Sequence, residues 1–335
     1  MLFRSNVAIG VEALRYNTTG CNNVAFGCKP LCKNTTGGRN VGIGRLALGN
    51  NTGGFDNIAI GYTALYKNAS AYGNIALGYS ALRYATGGGN IAIGCNAIRN
   101  SCASVCNISI GQCSLYSTNS GSFNIAVGFT ALRTNSSGNC NIAIGHSALR
   151  SSTIANNNIA LGTCALFNNT SGLNNIAVGY SALSNNTIGS NIALGYRALE
   201  RNTTGTFNIA IGQNALRYNT TGCQNIAVGC KALGKLTVGY RNIAIGRDVL
   251  YCQTGGGNNL GIGYQTLKCT TGSNNIAFGW SALIKNTAGC NNIAIGTSAI
   301  CNNTTGCHNI AIGRSTMATT TTGGDRKSTR LNSSH

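Results

Sequence analysis

The chain has 335 residues, of which only 9% are charged, and its 24 Lys and Arg against 5 Asp and Glu give a net charge of +19 at pH 7. An aperiodic chain with so little charge, 47 Gly and one Pro would be classed as low-complexity, but the apolar residues here recur at fixed places, which excludes that class. The excess of basic residues favours anionic partners or surfaces and does not specify a fold.

A five-residue motif, Asn-Ile-Ala-Ile-Gly, recurs with small variations along the chain. There are nineteen copies, separated by fifteen intervals of 17 residues and three of 16. The copies begin at residues 6, 23, 40, 57, 74, 90, 107, 124, 141, 158, 175, 191, 208, 225, 242, 259, 275, 292 and 309. We number repeat positions from the Asn as 1 to 17 and call each copy with its following turn a coil. A fixed period of this length predicts a stacked-repeat architecture.

The two ends of the chain do not follow the repeat. Residues 1–5 and 325–335 resemble in-frame translations of a sequencing adapter, so we expect both to be artefacts that must be left out of fold reasoning. Residues 6–324 are then expected to be one β-solenoid repeat domain, a fragment of a longer protein. The fragment itself carries no targeting signal or membrane segment.

The first element predicted in each coil is a short strand at positions 2 to 4. Positions 2 and 4 are Val, Ile, Leu or Phe in every copy, and position 3 is Ala in sixteen copies. This alternation predicts that positions 2 and 4 face the interior and position 3 faces outward. Outward rows of Ala would indicate either close approach of neighbouring chains around a common axis or simple crowding in a thin coil, and the sequence leaves both open.

Position 5 is Gly in every copy, which predicts a sharp corner with positive φ or a close backbone approach. These corner glycines are Gly10, Gly27, Gly44, Gly61, Gly78, Gly94, Gly111, Gly128, Gly145, Gly162, Gly179, Gly195, Gly212, Gly229, Gly246, Gly263, Gly279, Gly296 and Gly313.

Positions 7 to 10 are predicted to form a second short strand, with position 9 (Leu, Ile or Met) inside and position 8 (mostly Ala) outside. Positions 11 to 17 have turn chemistry, typified by Asn-Thr-Thr-Gly, and all three one-residue deletions fall there. One coil buries too few apolar side chains to be stable alone, so neighbouring coils must pair through parallel strands. The predicted fold is an all-β, single-stranded parallel β-solenoid, or β-roll, of about nineteen 16–17-residue coils.

The repeat Asn-[Ile/Val]-Ala-[Ile/Val]-Gly-x-x-Ala-Leu resembles the head repeats of YadA-like trimeric autotransporter adhesins and related repeats of viral and phage fibres. The resemblance covers residues 6–313. It implies a left-handed parallel β-roll, usually of three chains, that serves attachment at surfaces. The period here is longer than in the adhesin repeat, and sixteen Cys are unusual for an exported adhesin.

Twelve of the twenty Lys and Arg residues between 6 and 324 occupy positions 10 and 11. We call these twelve the basic stripe: Arg15, Arg83, Arg99, Arg133, Arg150, Arg217, Lys268, Lys33, Lys67, Arg201, Lys235 and Lys285. Stacked coils would align them, and the aligned cations would suit a polyanion, either an acidic glycan or a nucleic acid. No aromatic interleaving or nucleic-acid module favours nucleic acid. The alternative is a solubilising edge, which would normally mix both charge signs.

The cysteines and the glycosylation motifs give weaker predictions. The spacings Cys28–Cys32 and Cys102–Cys106 lack the partners of a zinc site. Cys252 with Cys269 lies within disulfide reach across adjacent coils, as does the pair Cys290 and Cys307, although we favour free thiols in a reducing compartment. Asn-x-Ser/Thr motifs at several turns permit glycosylation in a eukaryotic secretory route, but the same turn repeats throughout the chain. Examples are Asn17, Asn34, Asn202 and Asn219.

Catalytic chemistry has little support, because His146 and His308 are isolated and the few acids are scattered. We therefore predict no enzyme, no cofactor and no metal. The preferred function is a structural and attachment fibre segment of a cell-surface adhesin or a virion, as a homotrimer that binds a host-surface or matrix ligand such as an anionic glycan. An ice- or crystal-surface binder, suggested by rows of Thr, is the alternative. A β-helix enzyme is less favoured.

Overall fold

The computed structural model describes residues 5–319 and 321–329, so most of the first predicted artefact and the end of the second lie outside the described residues. The chain divides into two compact units, Met1–Leu173 and Asn174–His335, and each is described by itself. Each unit is a parallel β-solenoid, and no helix occurs among the described residues, which confirms the predicted all-β solenoid.

Nineteen strands of three residues cover positions 2 to 4 of the nineteen copies. The first unit contains β1 Val7–Ile9, β2 Val24–Phe26, β3 Val41–Ile43, β4 Ile58–Ile60, β5 Ile75–Leu77, β6 Ile91–Ile93, β7 Asn100–Ser101, β8 Ile108–Ile110, β9 Ser117–Thr118, β10 Ile125–Val127, β11 Ile142–Ile144 and β12 Ile159–Leu161. The second unit contains β13 Ile176–Val178, β14 Ile192–Leu194, β15 Ile209–Ile211, β16 Ile226–Val228, β17 Ile243–Ile245, β18 Leu260–Ile262, β19 Ile276–Phe278, β20 Ile293–Ile295, β21 Ile310–Ile312 and β22 Lys327–Thr329.

Within each unit, a strand pairs in parallel with the same repeat positions of the next coil. In β10 and β11, for example, Ile125 lies opposite Ile142 and Ala126 opposite Ala143. The backbone ladder continues into the segment that we expect to be an artefact, because Lys327 pairs with Ile310. Backbone hydrogen bonds do not depend on side-chain identity, so a polar strand can extend such a ladder.

The side chains of the strands face opposite to the prediction. Ala126 and Ala143 are fully buried, whereas Phe26 is 53% exposed and Ile60 is 40% exposed. The reason is the narrow interior: a Cβ atom on Gly42, at position 3, would lie only 3.2 Å from Cγ of Leu31 and 3.3 Å from a backbone carbonyl. Such a space accepts a small side chain at position 3 but not a bulky one, so the Ile, Val, Leu and Phe of positions 2 and 4 point outward.

The predicted second strand at positions 7 to 10 is also wrong. Residues at positions 7 and 9 have positive φ, for example 53° at Ser80 and 50° at Leu82. The Ser80 N–H donates to the Tyr62 carbonyl of the preceding coil (2.9 Å), and the Leu82 N–H donates to the Ala97 carbonyl of the following coil (3.0 Å). This segment is a turn that bonds in both directions, and it buries the adjacent positions 8 and 9 together, which a strand cannot do. The prediction that position 9 faces the interior is correct, and the prediction that position 8 faces outward is wrong.

Two ladders of Asn side chains fill the polar part of the interior. At position 1, Asn141 donates through Nδ2 to Oδ1 of Asn124 (3.1 Å) and to the Ala155 carbonyl (2.7 Å), and its Oδ1 accepts the Asn158 N–H at 3.0 Å. At position 12, Asn51 donates to Oδ1 of Asn34 at 2.7 Å. The glycosylation motifs lie in this second ladder, where Asn34, Asn202 and Asn219 are fully buried and Asn17 is half-buried. The three buried amides are therefore inaccessible in the folded chain.

Departures from the repeat compensate one another inside the coils. Gly261 replaces Ala at position 3, and the preceding coil has Val249 in place of Ala at position 8; a Cβ on Gly261 would lie 2.6 Å from Cγ1 of Val249. Ser109 and Ser114, the polar substitutes at positions 3 and 8 of one coil, hydrogen-bond to each other. These pairs keep interior volume and polarity balanced from coil to coil.

Candidate anion-binding stripe

The solenoid brings the residues of the basic stripe together within each unit. Position 11 of one coil donates its N–H to the position 10 carbonyl of the next, as Tyr84 does to Arg99 (3.1 Å) and Thr134 does to Arg150 (3.2 Å). Seven stripe residues lie in the first unit and five in the second. The stripe cations at position 10 are mostly half-buried, and the five stripe cations at position 11 are exposed.

Most cations of the stripe have no acidic partner. Arg15 pairs with Glu12 at 3.0 Å, and Arg217 pairs with Glu200 at 2.6 Å. The hydrogen bond with Glu200 raises the pKa of Arg217 above its ordinary value, so this guanidinium is firmly charged and already occupied. In the part of the chain that the structure describes, the other ten stripe residues have no carboxylate within 4.0 Å. Their charge is available to an external anion.

Aromatic rings interleave with the cations, contrary to the sequence prediction. Tyr116 lies between Arg99 and Arg133, whose Cζ atoms are 5.7 and 5.9 Å from the ring centroid. Arg150 lies 5.5 Å from the Phe167 ring. The same arrangement recurs around Tyr84 in the first unit, and around Tyr218 in the second. The rings occupy positions 10 and 11 of neighbouring coils, so alignment of the coils by repeat position would have revealed them. Cation–π contacts of this kind fix the guanidinium groups in place.

A second aromatic row runs at position 6, beside the stripe. Phe129 stacks on His146 with ring centroids 5.3 Å apart, and Tyr62 stacks on Tyr79 at the same distance. Further pairs are Tyr180 with Tyr196 and Tyr264 with Trp280. A groove of about 260 Å³ is lined by the Phe129–His146 pair, by Arg133 and Arg150, and by Gln112. The groove combines two cations, two rings and an amide.

The outer strand rows, formed by the side chains of positions 2 and 4, give each unit an uncharged apolar face. Every residue of these rows from Val7 to Ile312 is Val, Ile, Leu or Phe. Many are substantially exposed, including Ile9 at 55% and Ile144 at 43%. They replace the Ala rows, which are buried, as the surface that a neighbouring chain would contact.

The remaining candidate sites are not assembled. No group of three or more His, Cys, Asp or Glu that would hold a metal occurs among the described residues. Cys252 and Cys269 form a disulfide with Cα atoms 4.5 Å apart, so the prediction of free thiols is wrong for this pair. Cys290 and Cys307 are free, and the Cys290 N–H donates to the Cys307 sulfur at 3.2 Å.

The Thr residues suggested by the sequence lie in adjacent positions 13 and 14. In each unit the position 13 hydroxyls donate to the position 13 carbonyl of the next coil, as Thr35 does to Thr52 (3.0 Å) and Thr203 does to Thr220 (3.0 Å). The hydroxyl protons of the position 13 row are therefore used within the chain.

Comparison with known proteins does not name a relative. Neither the family models nor the curated proteins contain a match to this sequence. Within residues 5–319 and 321–329, no helix has the length and apolarity needed to cross a membrane.

Proposed function

We propose that the protein is a segment of a non-enzymatic attachment fibre that binds an acidic glycan along its basic stripe. The observation that carries this proposal is the row of aligned cations without acidic partners, six of them in the first unit. A solubilising edge would normally mix both charge signs, whereas this stripe is nearly free of carboxylates. The repeated coils support a structural role, because each adds an equivalent set of binding groups.

The proposed setting is a cell surface, the extracellular space or a virion, where host surfaces and matrix carry acidic polysaccharides. The resemblance of the repeat to adhesin heads and viral or phage fibres supports this setting. It also supports three chains per fibre.

Self-association is proposed to use the outer strand rows and to produce a homotrimer. These rows are apolar along each unit and carry no charge that would oppose association of a strongly basic chain. Burial of exposed Ile and Val contributes roughly 25 cal/mol per Å² of apolar surface. Copies of the same chain offer the same rows, so a closed ring of three chains would bring these rows together around a common axis.

Analytical ultracentrifugation of the full chain tests the trimer. We expect a trimeric mass for the wild type and a monomer for Ile125→Lys/Ile142→Lys/Ile159→Lys, which places three charges in one outer row. Ser120→Lys, in an exposed turn, is the control and keeps the trimer. A soluble wild-type monomer at micromolar concentration would refute the proposal.

Binding to a heparin-like polymer tests the stripe. Charge reversal at Arg83, Arg99, Arg133 and Arg150 to Glu should weaken binding by more than tenfold, and wild-type binding should fall steeply with added salt because screening weakens surface electrostatics. The matched control reverses four basic residues outside the stripe, at Arg45, Arg241, Arg247 and Arg314, with the same change in net charge. Equal losses in both variants would assign the effect to net charge and remove the stripe as a site.

The ice-binding alternative is separated from attachment by a thermal hysteresis assay. Since the position 13 Thr hydroxyls already donate within the chain, we expect no effect on ice growth.

A further inference from the structure

We propose that the groove between the Phe129–His146 ring pair and Arg133 with Arg150 is a subsite for one anionic sugar residue. This inference rests on the proposed function and specifies the ligand chemistry at one place on the stripe. The ligand class is a sugar that carries a carboxylate or sulfate group, within a polysaccharide.

The two arginines supply the anion-binding end. They occupy position 10 of adjacent coils, and each guanidinium lies against a ring, Arg133 at 5.9 Å from Tyr116 and Arg150 at 5.5 Å from Phe167. Neither has a carboxylate within 4.0 Å among the described residues. A guanidinium held by a ring loses less freedom on binding and presents paired N–H donors that match two oxygens of a carboxylate or sulfate.

The opposite wall supplies contacts for the rest of a sugar ring. Phe129 is 47% exposed and stacks on His146, so it offers apolar surface along the groove. The His146 imidazole and the exposed Gln112 amide each have a donor and an acceptor for sugar hydroxyls. The volume of about 260 Å³ lies just below the range of about 300–1,000 Å³ usual for small-molecule sites, which suits a single ring.

The same geometry disfavours nucleic acid. Sequence-tolerant binding of single strands requires ring faces on which bases stack. Tyr116 has an arginine near its ring on each side, and Phe129 and His146 stack on each other. The groove supplies guanidinium N–H donors and an amide, which recognise an oxyanion and hydroxyls.

The second unit provides a natural contrast. There, a smaller groove of about 80 Å³ is lined by Arg217, Tyr218 and Lys231, but Arg217 already donates to Glu200 at 2.6 Å. An internal carboxylate occupies the guanidinium that an external anion would need, so the subsite is assigned to the first unit.

Isothermal titration of the full chain tests the proposal, with short oligosaccharides that carry carboxylate only or sulfate only, and with a single-stranded DNA oligonucleotide of equal charge. The test variant is Arg133→Lys/Arg150→Lys, which keeps both charges and removes the paired donors. The matched control is Arg39→Lys/Arg241→Lys, two arginines at position 17 that lie outside the stripe. We expect at least a tenfold loss of oligosaccharide affinity in the test variant and less than a twofold change in the control. The more strongly affected of the two oligosaccharides identifies the preferred anion.

A second variant, Phe129→Ala, should weaken the oligosaccharide at least threefold and leave DNA binding unchanged. The subsite is refuted if the lysine variant binds like the wild type, or if the DNA binds more tightly than both oligosaccharides. The lysine variant could retain oligosaccharide binding while charge reversal of the stripe abolishes it. That result would support the proposed function and refute the subsite. Failure of the wild type to bind any acidic polymer would refute the proposed function itself.

Discussion

The inner and outer faces of the same strands carry opposite kinds of side chain. In β10 to β12, the inner residues Ala126, Ala143 and Ala160 are fully buried, whereas the flanking Ile, Val and Leu side chains remain partly exposed. The inner face is held by close packing and Asn hydrogen bonds, and the outer face is apolar without being packed within its own chain. Hydrophobicity therefore does not decide which face is inside, because the narrow coil selects small side chains by volume. Substitutions on the inner face should be costly, and those on the outer face should be nearly silent in the single chain.

The largest effect is expected at the inner Asn ladder. Asn141→Ala removes a donor to the Ala155 carbonyl and to Asn124, and it also removes the acceptor of Asn158. Orphaned buried polar groups cost about 1–3 kcal/mol each, so we expect a loss of roughly 3–5 kcal/mol in the free energy of unfolding. Urea unfolding measures it. The outer substitution Ile144→Ala is the control, and a similar loss there would contradict the comparison.

The second-largest loss of stability is expected from overpacking of the inner face. Ala126→Leu places a large side chain where the neighbouring coils leave space for a methyl group, and overpacking costs about 1–3 kcal/mol. The outer substitution Val127→Leu, one residue away, should stay within about 0.5 kcal/mol, as surface changes usually do. Equal effects in denaturant unfolding would show that the interior is wider than the structure implies.

A third test asks whether the unusual residues Gly261 and Val249 affect stability independently of each other. Gly261→Ala should destabilise by about 1–2 kcal/mol, because the new Cβ would lie 2.6 Å from Cγ1 of Val249. The double variant Gly261→Ala/Val249→Ala restores the common repeat residues. Its loss of unfolding free energy should be smaller than the sum of the losses in the two single variants. Contacting residues typically couple by about 0.5–3 kcal/mol. Strict additivity in a double-mutant cycle would show that the two sites do not share space.

Some features of the fold can be predicted from the sequence, and others cannot. The period, the parallel in-register pairing and the absence of helices follow from recurring residues, and alternation correctly groups positions 2 and 4 on one face. Alternation does not say which face is inside, because both assignments have the same period. Leu82 and its equivalents have positive φ beside a buried Ala, a turn that propensity does not reveal.

The candidate site was predicted only in part. The basic stripe could be found by aligning the coils, and its rings lie at positions 10 and 11 of the same alignment. The contact between Arg217 and Glu200 is harder to predict from the sequence. It depends on whether the Glu200 side chain turns toward the preceding or the following coil. The direction of side chains between coils is a property of packing, and the spacing of residues alone does not fix it.

The smallest effect is expected on the outer surface, at the ion pair of Arg39 and Asp56. The guanidinium donates Nε–H to Oδ1 at 2.6 Å and a terminal N–H to Oδ2 at 2.8 Å, and this hydrogen bonding lowers the pKa of Asp56. A lowered carboxyl pKa gives stability that is present above the unfolded value, about 3.9, and is lost as pH falls through the folded value. Because both side chains are exposed and screened, Asp56→Asn should shift the urea midpoint near pH 7 less than any inner substitution. The shift should disappear once the pH has fallen below the lowered pKa of Asp56, where the wild-type carboxyl is also neutral. A difference that persists unchanged in acid would show that Asp56 acts through its shape in the turn, and not through its charge.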